Sequence, residues 1–350
     1  MNCTVPGAPW LRLPAGQRAI VCGLTGLALV MVTNNCSRTG TLPTGAGGKN
    51  EWVHTVPEGT RLKLALVPNS ASRFWDLAQS GLNKFEKETG IKVAMVCPPH
   101  GTLEEQQKII EDLVTQGYHG LMVSVVAPDQ QTARLNLWAR KLNIVTVDSD
   151  APQSRRLVFI GPQHYDMGLA TGMAIVRSLP NGGKVAVFAG DLTAENVVQR
   201  LRGINDAIRN QNIQIVSVNE DRTDAATARR QVEEVLRNYP EVNLLVGLWS
   251  YNGGIIRSVV AAQGKTATVK IVAFAEEEET LQGIEEGTVQ CGVAQTAFDC
   301  AYLGASLLRD LAAKGSAALP SGGAINTGFI LVDQFNLQEI RETRTRQSSY

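Results

Sequence analysis

Between Leu62 and Ala275 the apolar positions gather into short runs, each followed by one helix-length amphipathic stretch, and the whole arrangement occurs twice. The first copy reads LKLALV (62–67), IKVAMV (91–96), GLMVSVV (120–126) and NIVTVD (143–148). The second reads KVAVFA (184–189), IQIVSV (213–218), NLLVGL (243–248) and KIVAFA (270–275). Continuous runs rich in Val and Ile, alternating with helices, predict parallel strands buried on both faces. The expected fold is α/β: two doubly wound, Rossmann-like lobes with parallel sheets, joined by hinge crossovers and separated by a cleft. Local punctuation agrees. Gly90 is placed to stop a helix running from about Arg73 to Thr89. Thr102 with Glu105 three residues on has capping-box spacing.

Beyond Phe274 the pattern predicts a helix over 277–286, a strand over 288–294, a helix from about 298 to 313 and a last strand near 328–332. The short extended piece 157–160 leads into a helix over 164–179. Crossovers between lobes are expected after Ile160, after Ala294 and near Gly322. This assigns residues 61–161 with 296–323 to the N-terminal lobe and 162–295 with 324–350 to the C-terminal lobe. Hinge closure around a small molecule is the mechanical use of such a layout.

A leader precedes the repeat. Arg12 and Arg18 form a positive region, followed by the uncharged apolar run Ile20–Val32, which suits a signal peptide better than a membrane span. Residues 1–36 are therefore read as an export leader, and Cys36 as an acylated lipoprotein cysteine. Thr33-Asn34-Asn35 are bulkier and more polar than lipoprotein processing favours, so a cleaved, freely soluble product is the alternative. Residues 37–60, rich in Gly, Thr and Pro, are expected to be a flexible tether.

Composition narrows the chemistry. The formal net charge of the 350 residues is zero, which provides no footprint for nucleic acid. Cys97, Cys291 and Cys300 are too scattered for a disulfide framework or a zinc site; buried thiols are expected, with a Cys291–Cys300 bridge as the alternative. His54, His100, His119 and His164 lack metal-ligand spacing, and no phosphate-binding glycine loop or nucleophile elbow follows a strand. No metal, cofactor or enzymatic activity is expected.

In open α/β sheets ligands sit at the carboxyl ends of the strands. There the scarce aromatic residues, 5% of the chain, cluster with polar ones. Ser72, Phe74 and Trp75 follow the first strand; an aromatic ring there can stack on the CH face of a sugar, or can simply staple the helix. Asp148 ends the fourth strand, where a carboxylate can accept two hydroxyls or cap a turn. Arg200 lies on the helix following Gly190-Asp191 in the second lobe, a rigid donor fork for a polyol or carboxylate. Trp249 ends the third strand of that lobe, and Gln295 ends the strand before the last long helix.

In order and context these positions resemble the ribose-binding family of type I periplasmic solute-binding proteins, over about Leu62 to Val332. The family's aromatic pair matches Phe74 and Trp75, with its preceding polar contact at Ser72. Its Pro-polar turn matches Pro128-Asp129, its strand-four carboxylate Asp148, its Arg-x-x-Gly string Arg200 with Gly203, and its closing Gln matches Gln295. Three positions depart from the pattern: Ser149 where ribose binders have Arg, Trp249 where they have Asn, and Ala275 where they have Asp, with Glu276 only beside it. The second lobe is thus expected to have lost a carboxylate, and the ligand to be a sugar or sugar-like molecule other than ribose. The resemblance implies a monomeric periplasmic protein, lipid-anchored or soluble, that hands its ligand to an ABC permease in the membrane. The alternative is a receptor that presents the ligand to a sensor kinase or chemoreceptor. A sugar-responsive repressor of the same fold is disfavoured, because a hydrophobic leader stands where a helix-turn-helix would be.

Overall fold

The computed structural model describes residues 49–350 and two short segments before them, β1 (Arg18–Val21) and β2 (Val30–Thr33), which pair antiparallel as part of a separate unit. Cys36, most of the leader and residues 37–48 lie outside the described residues.

The first lobe contains β3 (Leu64–Val67), α1 (Phe74–Thr89), β4 (Val93–Met95), α2 (Leu103–Thr115), β5 (Gly120–Val123), α3 (Pro128–Trp138), β6 (Asn143–Val147) and β7 (Phe159–Gly161). The second follows with α4 (His164–Ser178), β8 (Gly183–Ala189), α5 (Glu195–Ile208), β9 (Ile213–Glu220), α6 (Ala225–Asn238) and β10 (Val242–Gly247). It continues through α7 (Asn252–Ala262), β11 (Lys270–Phe274), α8 (Glu278–Glu285) and β12 (Cys291–Ala294). The chain then returns to the first lobe as α9 (Ala297–Lys314) and β13 (Ala324–Asn326), and re-enters the second as β14 (Ile330–Val332) and α10 (Leu337–Ser348). The sheet orders are β13-β7-β6-β5-β3-β4 and β14-β12-β11-β10-β8-β9, parallel throughout except for β14.

Both faces of each sheet are covered, as the uninterrupted apolar runs require. In the first lobe Leu64, Leu66 and Val145 pack with Phe85 of α1 and Leu308 of α9. On its opposite face Ala65, Val67 and Ile144 pack with Ile110 of α2 and Leu135 and Trp138 of α3. The second sheet packs Val185, Val187 and Val246 against Ile175 and Ile204 on one side. On the other side it packs Leu245 and Ile271 against Val232, Val259 and Leu281. Gly90 ends α1 in the left-handed region, at φ 72°, and Thr102 and Glu105 form the reciprocal capping box at the start of α2. Register sets the site. Val67 stands opposite Val123, and Val123 opposite Thr146, so the first-lobe strands finish along one edge. Gly247 likewise stands opposite Phe188 and Ala273, and Phe274 opposite Val293.

Several boundaries differ from expectation. β13 pairs in parallel with β7, Ala324 opposite Phe159, so 324–326 belong to the first lobe and the last crossover falls at 327–329, not near Gly322. The predicted tether is also shorter. Trp52 packs against the first-lobe core, and Val56 donates its N–H to Ala312 O at 3.0 Å. His54 exchanges backbone bonds with the buried Asn143 amide at 2.9 and 2.7 Å. An indole with apolar surface to bury and a backbone with partners cannot stay free. Helix α10 was not expected at all. Cys291 and Cys300 are separate buried thiols.

Candidate ligand-binding site

The lobes close on a cavity of about 370 Å³, counted out to its open mouth. Every wall comes from a strand's carboxyl end or the helix after it. Asn69, Ser70, Ser72 and Phe74 follow β3, and Asp148 follows β6. Asn196 and Arg200 lie on α5; Trp249, Ser250 and Tyr251 follow β10; Phe274 ends β11 and Glu276 follows it; Gln295 follows β12.

Of the residues singled out from sequence, Ser72, Phe74, Asp148, Arg200, Trp249 and Gln295 line the cavity and Trp75 does not. Trp75 is 2% exposed and belongs to the first-lobe core, where its ring meets Phe74 edge-on at 5.0 Å. Consecutive helical residues point about 100° apart, so only one of an adjacent pair can face the cleft. Trp75 therefore braces the ring that does.

Asp148 is held in an uncommon conformation. Its φ is 58°, and the N–H of Ser149 donates back to Val147 O at 2.7 Å across it. A three-residue turn with a positive central φ is the rare, strained form, and such strain concentrates where a side chain must be aimed. The carboxylate accepts from Gln295 Nε2 at 3.0 Å and from Ser124 Oγ at 3.4 Å. Burial pushes its pKa up, opposed by the Arg200 charge and these hydrogen bonds. Asp150, two residues on, is occupied elsewhere: Arg156 grips it at 2.7 and 2.6 Å.

Arg200 is buried beside the cavity with its guanidinium 4.0 Å from the Phe274 ring centroid. Nη1 donates to Leu248 O at 2.6 Å, and Nη2 faces His164 Nδ1 at 3.3 Å. His164 Nε2 reaches Asp148 O at 2.5 Å. A carbonyl only accepts, so that ring carries its proton on Nε2 and leaves Nδ1 to accept from Arg200. Burial and the Arg200 charge hold His164 neutral, with its pKa down to about 3. Burial lowers Arg200 to about 10, so it stays cationic at neutral pH. The helix carrying Arg200 is fixed by contact with α4. A Cβ at Gly203 would stand 2.2 Å from Tyr165 O, and one at Gly168 would stand 2.2 Å from Arg200 O. The Arg-x-x-Gly string is thus an arginine and the gap that lets its helix dock.

Sequence reasoning missed Asn69, Ser70, Asn196, Ser250, Tyr251, Phe274 and Glu276. Asn196 is one helical turn from Arg200, a spacing that places both on one face. Tyr251 was visible as the second aromatic after β10; its hydroxyl donates to Asp221 Oδ1 at 2.5 Å, and Asp221 also accepts from Asn252 at 3.0 Å. Trp249 lies edge-on to Tyr251 and rests over Gly190, where a Cβ would come within 2.2 Å of the indole. The expected loss of the second-lobe carboxylate does not hold. Ala275 is buried in the core, and Glu276 lines the cavity instead. Burial raises its pKa to about 7 against the opposing charges of Arg200 and Arg344. Glu276 Oε1 accepts from the Gln295 N–H at 3.2 Å.

The cavity walls hold buried polar atoms without partners in the protein: Asn196 Oδ1, Arg200 Nε, Trp249 Nε1, Glu276 Oε2 and Gln295 Oε1. Such atoms are costly unless a ligand satisfies them. This set mixes donors with acceptors, matching a molecule whose groups do both. Among the described residues no cluster of His, Cys, Asp or Glu is arranged to hold a metal ion.

Comparison with known proteins agrees with this architecture. The D-allose-binding periplasmic protein of Escherichia coli (strain K12) is 24% identical over 276 residues, covering 74% of this chain and 86% of that protein. An ABC transporter solute-binding protein from Burkholderia graminis C4D1M, solved in complex with D-arabinose, shares the fold at TM-score 0.76 and 24% identity, covering 81% of this chain and 98% of that one. The XylFII–LytSN complex contains a similar chain at TM-score 0.72 and 21% identity, covering 79% and 99%. The family model described as the periplasmic binding protein domain matches residues 64–316, and this chain belongs to that family, with its two-lobed type I architecture.

Proposed function

We propose that the protein is an extracytoplasmic solute-binding protein that closes on one monosaccharide or sugar-like molecule and delivers it to an ABC permease. The observation that carries the reading is the group of unpartnered donors and acceptors on Asn196, Arg200, Trp249, Glu276 and Gln295, walled by the aromatic rings of Phe74 and Trp249. A hydroxyl donates and accepts at once, and a pyranose or furanose ring offers several beside an apolar CH face. Phe74 and Trp249 stack on that face; Asp148 and Arg200 take the hydroxyls most strongly, because charged partners make the stronger hydrogen bonds, and Glu276, which ionises near neutrality, can donate or accept beside them. Ser72 and Gln295 complete the set. The names of the D-allose and D-arabinose binders support an aldose. Export through the leader and acylation at Cys36 complete the reading of where the protein works, as a monomer beside the membrane.

A receptor role is the second reading, supported by the similar chain found in complex with LytSN. The test of the primary function is a thermal-shift screen of the full chain against neutral aldoses, polyols, sugar acids, nucleotides and amino acids. Binding to the native state alone raises the melting temperature by mass action. A shift confined to nucleotides or amino acids overturns the carbohydrate reading.

A further inference from the structure

Helix α10 touches both lobes and the back of the cavity. Leu337 and Ile340 are buried in the second-lobe core, and Arg341 clamps α8 through Glu278 at 2.7 Å and Glu285 at 2.9 Å. One turn on, Arg344 donates from Nη2 to the carbonyl of Ala275, the residue before Glu276. Past the end of the helix, the Tyr350 ring meets Phe298 of α9 at 6.0 Å, with the ammonium groups of Lys84 and Lys87 on α1 at 6.0 and 5.7 Å from its centroid. Phe298, Lys84 and Lys87 all belong to the first lobe.

We propose that Arg344 is a positioning residue for the cavity carboxylate Glu276, carried on a strap, α10, that holds the second lobe against the first. Granted the sugar-binding reading of the cavity, this makes closure of the cleft and presentation of Glu276 parts of one mechanical unit. Two observations lead to it. The Ala275 carbonyl is anchored from behind by a guanidinium that is itself packed into the protein, which fixes the backbone direction from which Glu276 leaves the strand. Just past the same short helix Tyr350 meets Phe298, next to the 295–297 crossover, so any opening about that crossover must break or drag the Tyr350 contact. The charged groups facing Glu276 are Arg200 from α5 and Arg344 from α10, while Arg344 also faces Glu278 at the start of α8.

The test reads the ligand-free full chain, so the failure of every sugar to bind would overturn the sugar reading and leave this result standing. In protein carrying ¹³C-labelled glutamate, the Glu276 resonance, assigned by its loss in Glu276→Gln, is titrated in wild type, Arg344→Gln and Arg344→Lys. Losing the nearby cation is expected to raise the Glu276 midpoint by about one pH unit or more, and lysine is expected to restore most of it. An unchanged midpoint in Arg344→Gln overturns the positioning role. Small-angle scattering of Tyr350→Ala tests the strap: the radius of gyration rises as the lobes separate, and a value equal to that of wild type overturns it.

Discussion

Two neighbouring pairs of residues show how finely the site is decided. Phe74 faces the cavity and Trp75 the core; Ala275 faces the core and Glu276 the cavity. In each case the strand end was legible in the hydrophobic pattern, but a one-residue offset depends on where the backbone leaves the regular element. Asp148 was legible because its strand stops at a polar residue, yet its aim depends on a positive φ that no pattern announces. Replacement by Asn keeps the shape and removes the charge. Asp148→Asn is expected to weaken sugar binding by at least tenfold, since hydrogen bonds to charged groups are worth about 1.5–3 kcal/mol; calorimetric titration checks it, and unaltered affinity would remove Asp148 from the site. Glu276 makes a pH prediction. Its folded pKa of about 7 lies above the ordinary 4.5, so its contribution to stability is complete below 4.5 and is lost as pH rises through 7. Glu276→Gln escapes that loss. In urea denaturation of the ligand-free protein, the variant should gain on wild type as pH climbs to neutrality, by an amount on the order of 3 kcal/mol at most. His164 acts in the opposite sense. Its pKa falls from 6.5 to about 3, so its contribution is present above 6.5 and disappears on acidification.

Helices reach this site by close backbone contact, and glycine makes that contact available. The α4–α5 crossing admits no Cβ at Gly203, where one would meet Tyr165 O at 2.2 Å. Backbone cannot rotate aside as a side chain can. Gly203→Ala is therefore expected to cost about 1–3 kcal/mol in denaturant unfolding, and to diminish sugar-induced stabilisation by displacing Arg200. Full binding in a destabilised Gly203→Ala would show that α5 moves without carrying Arg200. Gly190 serves Trp249 in the same way, and Gly190→Ala is expected to weaken sugar binding in calorimetric titration and to change the tryptophan emission spectrum by displacing the indole. Most helices announced themselves by period and capping, as α1 and α2 did. Helix α10 did not, because only Leu337 and Ile340 along it are buried and the rest of its surface is polar or half-covered.

Across the molecule, the lobes are joined by three crossovers and by contacts that any hinge motion must break. Gln295 and Asp148 bond across the hinge, and Arg73 meets Glu279 at 3.1 Å over the mouth of the cleft. The second pair is 65% and 51% exposed, so water screens it. Exposed pairs are worth about 0.2–1 kcal/mol, and Arg73→Ala is expected to change sugar affinity by no more than about fivefold, with the difference vanishing in high salt. A loss of a hundredfold would mean that the mouth contact, and not the cavity wall, governs closure.

The duplicated α/β plan, the two lobes and the location of the cleft follow from the linear pattern, because burial on both faces of a parallel sheet leaves uninterrupted apolar runs in the chain. Long-range contact decided the rest. Whether Ala324–Asn326 joins one sheet or the other, whether Trp75 or Phe74 faces the cavity, and which residue supplies the second-lobe carboxylate are settled by the packing of segments far apart in sequence. That packing also joins Arg344 to Ala275 and Tyr350 to Phe298. Local hydrophobicity says that a side chain must be buried; only the assembled lobes determine against what.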